Sequence, residues 1–156
     1  MAGRLRDTLF LRFFTFMKIP LLFYVRPVIE ELNDETCVVR IPLRRRTKNH
    51  LNAMYFGVLA AGADCAGGFM AMRLIQKDGG RTSLLFKDFK ADFLKRAEGD
   101  VLFTCSDGEA IRRAVEETLR TGERVNHPVR VTATVPSRFG SEPVAEFELT
   151  LSLKKR

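Results

Sequence analysis

The stretch from Phe56 to Met72, FGVLAAGADCAGGFMAM, most constrains what this chain can fold into. It carries one charge, Asp64, and no other polar side chain except Cys65. With no proline and no β-branched run, and longer than an ordinary strand, it reads as a helix from about Ala53 towards Ile75. A helix that is apolar all round is either wrapped by its own domain or spans a membrane. Gly57, Gly62, Gly67, Gly68 and the acid, with alternating strands on both flanks, favour a central helix wrapped by a curved antiparallel sheet. A buried, unpaired carboxylate is costly or is driven neutral. Asp64 therefore needs exposure, a partner or a job.

The helical wheel narrows this. Gly57, Ala60, Ala61, Asp64, Gly67, Gly68 and Ala71 recur at spacings of three, four and seven and share one face. Such a stripe serves either close packing against a strand or helix, or a narrow ligand slot with Asp64 facing it. The charge favours the slot.

Around this helix the chain reads as strands. PVIEELNDETCVVRIPL gives a hairpin with strands near 27–32 and 36–43. KDGG stops the apolar helix. FKDFKA alternates, VLFTCSD follows a turn, and RVNHPVRVTATVP and VAEFELTLSLKK are two further alternating strands. DGEAIRRAVEETLRTG is an inserted amphipathic surface helix closing on Gly122. Six strands and one dominant helix make an α+β domain over 26–156, preceded by an N-terminal extension over 1–25.

In that extension Leu5, Leu9, Phe13 and Phe16 fall at helical spacing, with Arg4, Asp7 and Arg12 on other faces. This is an amphipathic helix, which packs on its own domain or a partner subunit; a membrane-surface helix has the same signature. Arg12, Lys18 and Pro20 interrupt the run, unlike a secretory signal. Three scattered cysteines, Cys37, Cys65 and Cys105, suit a reduced, cytoplasmic compartment.

The formal net charge of +7 favours anionic partners. Arg44, Arg45, Arg46 and Lys48 form the densest cluster, in a polar loop. Aromatic-interleaved basic motifs and paired Cys/His spacings are lacking, so neither nucleic acid nor a metal is an expected partner. The 13 phenylalanines, with no tryptophan, suit cores, interfaces and apolar channels.

The line from Asn49 through YFGVLAAGADCA resembles the hotdog-fold thioesterases, in particular the phenylacetate-degradation type, whose pattern is roughly N-x5-H-G-G-x-x-x-x-L-A-D-x-A. DFLKRAEGDVLF and the closing SEPVAEFELTLSLKK are similar to later segments of that family, and the resemblance covers nearly everything after residue 26. It implies a hotdog fold, a dimer or dimer of dimers with sites at the subunit interface, hydrolysis of acyl-CoA or acyl-carrier thioesters, and no metal or bound cofactor. It also implies Asp64 as general base or nucleophile, with the Gly57 backbone N–H polarising the thioester carbonyl at the helix N-terminus. Asn49 matches the family asparagine, while Tyr55 and Phe56 replace its histidine and first glycine. The expected substrate-binding residues are Asn49, His50, Tyr55, Phe56, Ala60 and Ala61. The Arg44–Arg46 run suits CoA phosphates. The lost His-Gly pair and the Phe-rich N-terminus motivate an alternative, a non-catalytic hotdog protein that binds acyl groups or acyl-CoA with peripheral membrane contact. A hotdog dehydratase would use a histidine in a different motif, which His50 does not supply.

Overall fold

The computed structural model describes residues 2–156. Helix α1 (Ala2–Lys18) and the short α2 (Pro20–Tyr24) precede a hairpin of β1 (Val28–Leu32) and β2 (Cys37–Ile41). The apolar stretch forms α3 (Phe56–Lys77). Then come β3 (Thr82–Phe93), β4 (Val101–Cys105), α4 (Gly108–Thr121), β5 (Val125–Thr134), the single-turn α5 (Pro136–Phe139) and β6 (Pro143–Lys155). The strands form one antiparallel six-stranded sheet in the order β1-β2-β4-β5-β6-β3, curved around α3. This is the hotdog architecture.

The alternation read from the sequence decides which sheet face is wet. In β6, Val144, Ala145, Phe147, Leu149, Leu151 and Leu153 are buried while Glu146 and Glu148 are exposed. Pro128 lies in the half of β5 that pairs with β6 alone, because β4 reaches only Thr132–Thr134. A residue without a backbone N–H is tolerated there.

By length and composition α3 could cross a membrane, yet its most apolar window is mostly buried within the domain. Ala63, Ala66, Met70 and Ala71 have no exposure. It approaches the sheet closely at Gly62, where a Cβ would stand 2.2 Å from Phe103 Cζ. A fully buried ring thus occupies the space a side chain would need, and only glycine fits. Gly67 faces Val129 and Val131 at ordinary contact distance. Part of the small-residue stripe therefore serves sheet packing.

Helix α1 packs in an unexpected orientation. Thr8, Leu11 and Thr15 face the domain, whereas the expected apolar face points outward, with Leu5 63% and Phe13 67% exposed. The helix packs on its own domain, one of the alternatives expected, but mainly through its less apolar side. Hydrogen bonds account for the inward threonines: Thr8 Oγ1 accepts the Ile29 N–H of β1 at 2.9 Å, and Thr15 Oγ1 donates to Leu11 O at 2.8 Å. A polar face that satisfies an edge-strand amide can dock as firmly as an apolar one.

Candidate active site

The N-terminus of α3 is set by a hydrogen-bonded loop. The buried Thr47 hydroxyl donates to Pro42 O at 2.8 Å and accepts the Arg44 N–H at 2.8 Å. Asn49 Oδ1 accepts the amides of Leu51 (2.9 Å) and Ala53 (3.2 Å), closing an Asx-type turn. The Tyr55 N–H donates to Thr47 O and the Met54 N–H to Ala97 O. Asn49 thus shapes the approach to the helix through its own carbonyl oxygen.

In the first turn of α3, the amides of Val58 and Leu59 both donate to Tyr55 O. Among the described residues no acceptor takes the Phe56 or Gly57 N–H. These are the free donors that a helix start presents, at the positive end of its dipole. The Tyr55 ring lies against Gly57, where a Cβ would stand 2.5 Å from Tyr55 Cε1. Tyr55 stacks edge-on with Phe56 (centroids 4.8 Å apart), and Phe56 with Phe93 of β3 (6.3 Å). His50, Tyr55 and Phe56 are exposed, Ala60 is half-buried and Ala61 is buried.

Asp64 lies two turns further on, at a rise of about 10 Å from Gly57. It lines an apolar cavity of about 520 Å³ together with Gly68 and Met72 of α3, Leu11 and Phe14 of α1, and Phe86 of β3. Gly68 leaves room beside the acid: a Cβ there would stand 3.0 Å from Asp64 Oδ1 and 3.2 Å from the Phe86 ring. Among the described residues no hydrogen bond or ion pair reaches the Asp64 carboxylate. Burial alone pushes its pKa up to about 6. A second polar group lines the same cavity: Thr82 Oγ1, buried and without a hydrogen-bond partner.

Of the residues expected from the sequence, only Asp64 lines this cavity. Asn49, His50, Tyr55, Phe56 and Gly57 gather at the mouth of α3, and Ala60 and Ala61 lie between the two. Leu11, Phe14, Thr82 and Phe86 are additions from distant segments. The unusual inward face of α1 supplies two of them, and no sequence pattern signals that placement.

The comparisons with known proteins agree with this architecture. The model of a family described as a domain of unknown function, DUF4442, matches residues 6–153. The chain belongs to that family. No curated protein matches the chain. A solved structure from Chlorobaculum tepidum, of unknown function, superposes with a TM-score of 0.83 at 15% identity, covering 96% of this chain and 94% of that one. One from Pseudomonas aeruginosa, named a probable thioesterase, gives 0.77 at 25% identity, covering 96% of each chain. A thioesterase from Haemophilus influenzae gives 0.68 at 13% identity, covering 90% and 87%. The DUF4442 fold is thus a hotdog fold shared with proteins that carry a thioesterase name.

Proposed function

We propose that this DUF4442 protein hydrolyses thioesters of acyl-CoA or an acyl-carrier group. The observation that carries the reading is the unpaired Asp64 carboxylate, of raised basicity, on the wall of an apolar cavity in a fold whose relatives are named thioesterases. A carboxylate with a pKa near 6 is ionised at neutral pH and is a stronger base than an exposed one. It takes a proton from a water that attacks the thioester carbonyl; the tetrahedral intermediate then expels the thiolate, which takes that proton back from Asp64, leaving the free acid and the thiol. The apolar walls suit an acyl chain.

A carbonyl cannot touch both Asp64 and the Gly57 N–H of one chain across about 10 Å. The polarising amide comes from a second copy. β3 is an edge strand, with Leu85, Phe86, Phe89 and Phe93 exposed, as is Leu94 just beyond it. A long apolar edge of this kind invites pairing. Phe86 stands beside Asp64 and Phe93 beside Phe56. Pairing two β3 strands antiparallel about a two-fold axis near Phe89 and Lys90 sets Phe86 of one copy opposite Phe93 of the other. The second copy's helix start then approaches Asp64, so the homodimer holds two composite sites. Asn49, His50, Tyr55 and Phe56 contact the substrate at that seam, with Ala60 and Ala61 along the slot.

The test is thiol release from a panel of acyl-CoA chain lengths. Asp64→Asn is expected to lower turnover by about a thousandfold or more, with circular dichroism and oligomeric mass unchanged. Equal turnover by parent and variant refutes the proposal. The Tyr55 ring lying over Gly57 favours one second reading, an acyl-CoA binder without hydrolysis. Tight acyl-CoA binding with no thiol released at any chain length is its signature.

A further inference from the structure

Most of the outward face of α1 is uncovered, although the Phe10 ring stands 6.1 Å from the Phe69 ring of α3. Leu5, Leu9, Phe10, Phe13, Phe16 and Met17 all lie on it and are all exposed, and Leu21 of α2 continues it. Monomeric proteins rarely leave so large a contiguous apolar patch to water. The patch is held in place rather than loose. Thr8 ties α1 to β1, and the Phe16 and Phe23 rings meet edge-on at 5.2 Å, joining α1 to α2.

A basic groove of about 920 Å³ borders this face, lined by Arg12, Arg26, Arg44, Arg45 and Arg46. The two features are contiguous. Arg12 lies four residues before Phe16 and seven after Leu5, at the rim of the apolar face. At the other end, the Arg46 guanidinium sits 5.4 Å over the Tyr24 ring that closes α2. Among the described residues, the one carboxylate within 4 Å of these arginines is Asp100, 3.6 Å from Arg44. Arg12, Arg26, Arg45 and Arg46 have none. Burial and the positive charges of Arg26 and Arg40 hold the Arg12 pKa below its ordinary value. Arg26 also adopts a left-handed backbone conformation, φ 57°, rarely taken by a side chain of its size. The surface thus sets five arginines against one nearby carboxylate, Asp100.

We propose that the α1–α2 face and the arginine groove form one docking surface for an anionic phospholipid bilayer. The aromatic and aliphatic side chains enter the acyl boundary, while the arginines meet lipid phosphates. Charge selects this occupant over a second copy of the chain. A two-fold contact through this face sets the arginine rim of one copy close to that of the other, whereas an anionic lipid surface neutralises both. The inward side of the same helix lines the Asp64 cavity through Leu11 and Phe14. A bilayer held on the outer side therefore lies one helix thickness from that cavity. The docking surface does not depend on the thioesterase reading.

Flotation of the full-length protein with phosphatidylcholine vesicles, with and without phosphatidylglycerol, tests this without any substrate. The parent is expected to float with the anionic vesicles and to be released by high salt. Arg45→Gln with Arg46→Gln should lower partitioning about 25-fold, at about fivefold per arginine. Leu5→Gln, Leu9→Gln and Phe13→Gln together should lower it by about a hundredfold or more. Both variants should keep the parent's circular dichroism and melting temperature, since these side chains are exposed. A parent that stays with the lipid-free protein overturns the proposal, as does equal flotation on neutral vesicles. So does a triple apolar variant that shifts to a smaller oligomer while floating like the parent, because the face is then a contact between copies.

Discussion

At the residue scale, Asp64 has two opposed effects. Its pKa rises from the ordinary 3.8 to about 6 through desolvation. The folded protein therefore holds the Asp64 proton more tightly than the unfolded chain does. Below about pH 4 both states are protonated and the site costs nothing. As pH rises from about 4 to 6, the unfolded chain gives up the proton while the folded state still holds it. Stability therefore falls by about 2 to 3 kcal/mol, the full loss being reached above 6, where the folded state carries its poorly solvated charge. Asp64→Asn should accordingly melt several degrees higher than the parent at pH 7.5, and at the same temperature near pH 4. Equal melting curves at both pH values would show that the carboxylate is well solvated. If Asp64 acts as the base, kcat/KM should fall on the acid side of about pH 6.

Gly62 is the second position where one atom matters. The Phe103 ring that fills its Cβ position is fully buried and packs against Phe147, with ring centroids 6.4 Å apart, so it has nowhere to retreat. Gly62→Ala should destabilise the fold by about 2 kcal/mol, net of the helical gain of alanine over glycine. That corresponds to a melting temperature lower by about 4–8 °C. An unchanged or raised melting temperature would mean that the ring repacks freely.

At the element scale, β3 and α1 break the usual patterning, and each break leaves apolar surface in water. A one-sided strand normally hides its phenylalanines, but β3 is an edge with Phe89 and Phe93 exposed. If that edge pairs with a second copy, a charge at the two-fold axis should separate the copies. Phe89→Lys is expected to reduce the mass in light scattering from twice 17.7 kDa to 17.7 kDa. On the proposed arrangement hydrolysis should disappear with the dimer, because each site would then lose the amide donor of the other chain. A monomer that still turns over substrate would place the whole site within one chain.

Element existence was largely legible in the sequence. The expected hairpin at 27–32 and 36–43 appears as Val28–Leu32 and Cys37–Ile41, and the expected helix from 53 towards 75 as Phe56–Lys77. Strict period-two alternation and one long apolar run leave little freedom, because a wrong period exposes half the apolar side chains. The orientation of α1 was not legible. Its apolar residues mark a face, but a face does not say which side of it meets the domain. Contacts between residues far apart in sequence fix the orientation, among them the hydrogen bond from the Ile29 N–H to Thr8 and the burial of Leu11.

At the scale of the whole molecule, the candidate site shows the same division. Asp64 stands out in the sequence because a lone charge in an apolar helix demands an explanation. Its neighbours in the cavity come from α1 and β3, and nothing local marks Phe14, Thr82 or Phe86 as belonging with it. The arginine groove likewise draws on residues 12, 26 and 44–46, which meet only because β1 and β2 bring the loop after β2 back beside α1 and α2.

The sequence by itself determined the α+β class, the six strands and three longer helices, the buried central helix and the carboxylate within it, though not the short α2 and α5. These follow from periodicity and from the cost of burying a charge, both local properties of a chain in water. Only the tertiary structure decided that α1 turns its threonines inward and its phenylalanines out. It also decided that Asp64 opens into a cavity two turns from the free amides of its own helix, and that scattered arginines converge on one groove. These arrangements rest on contacts between residues distant along the chain, whose energies no local pattern encodes.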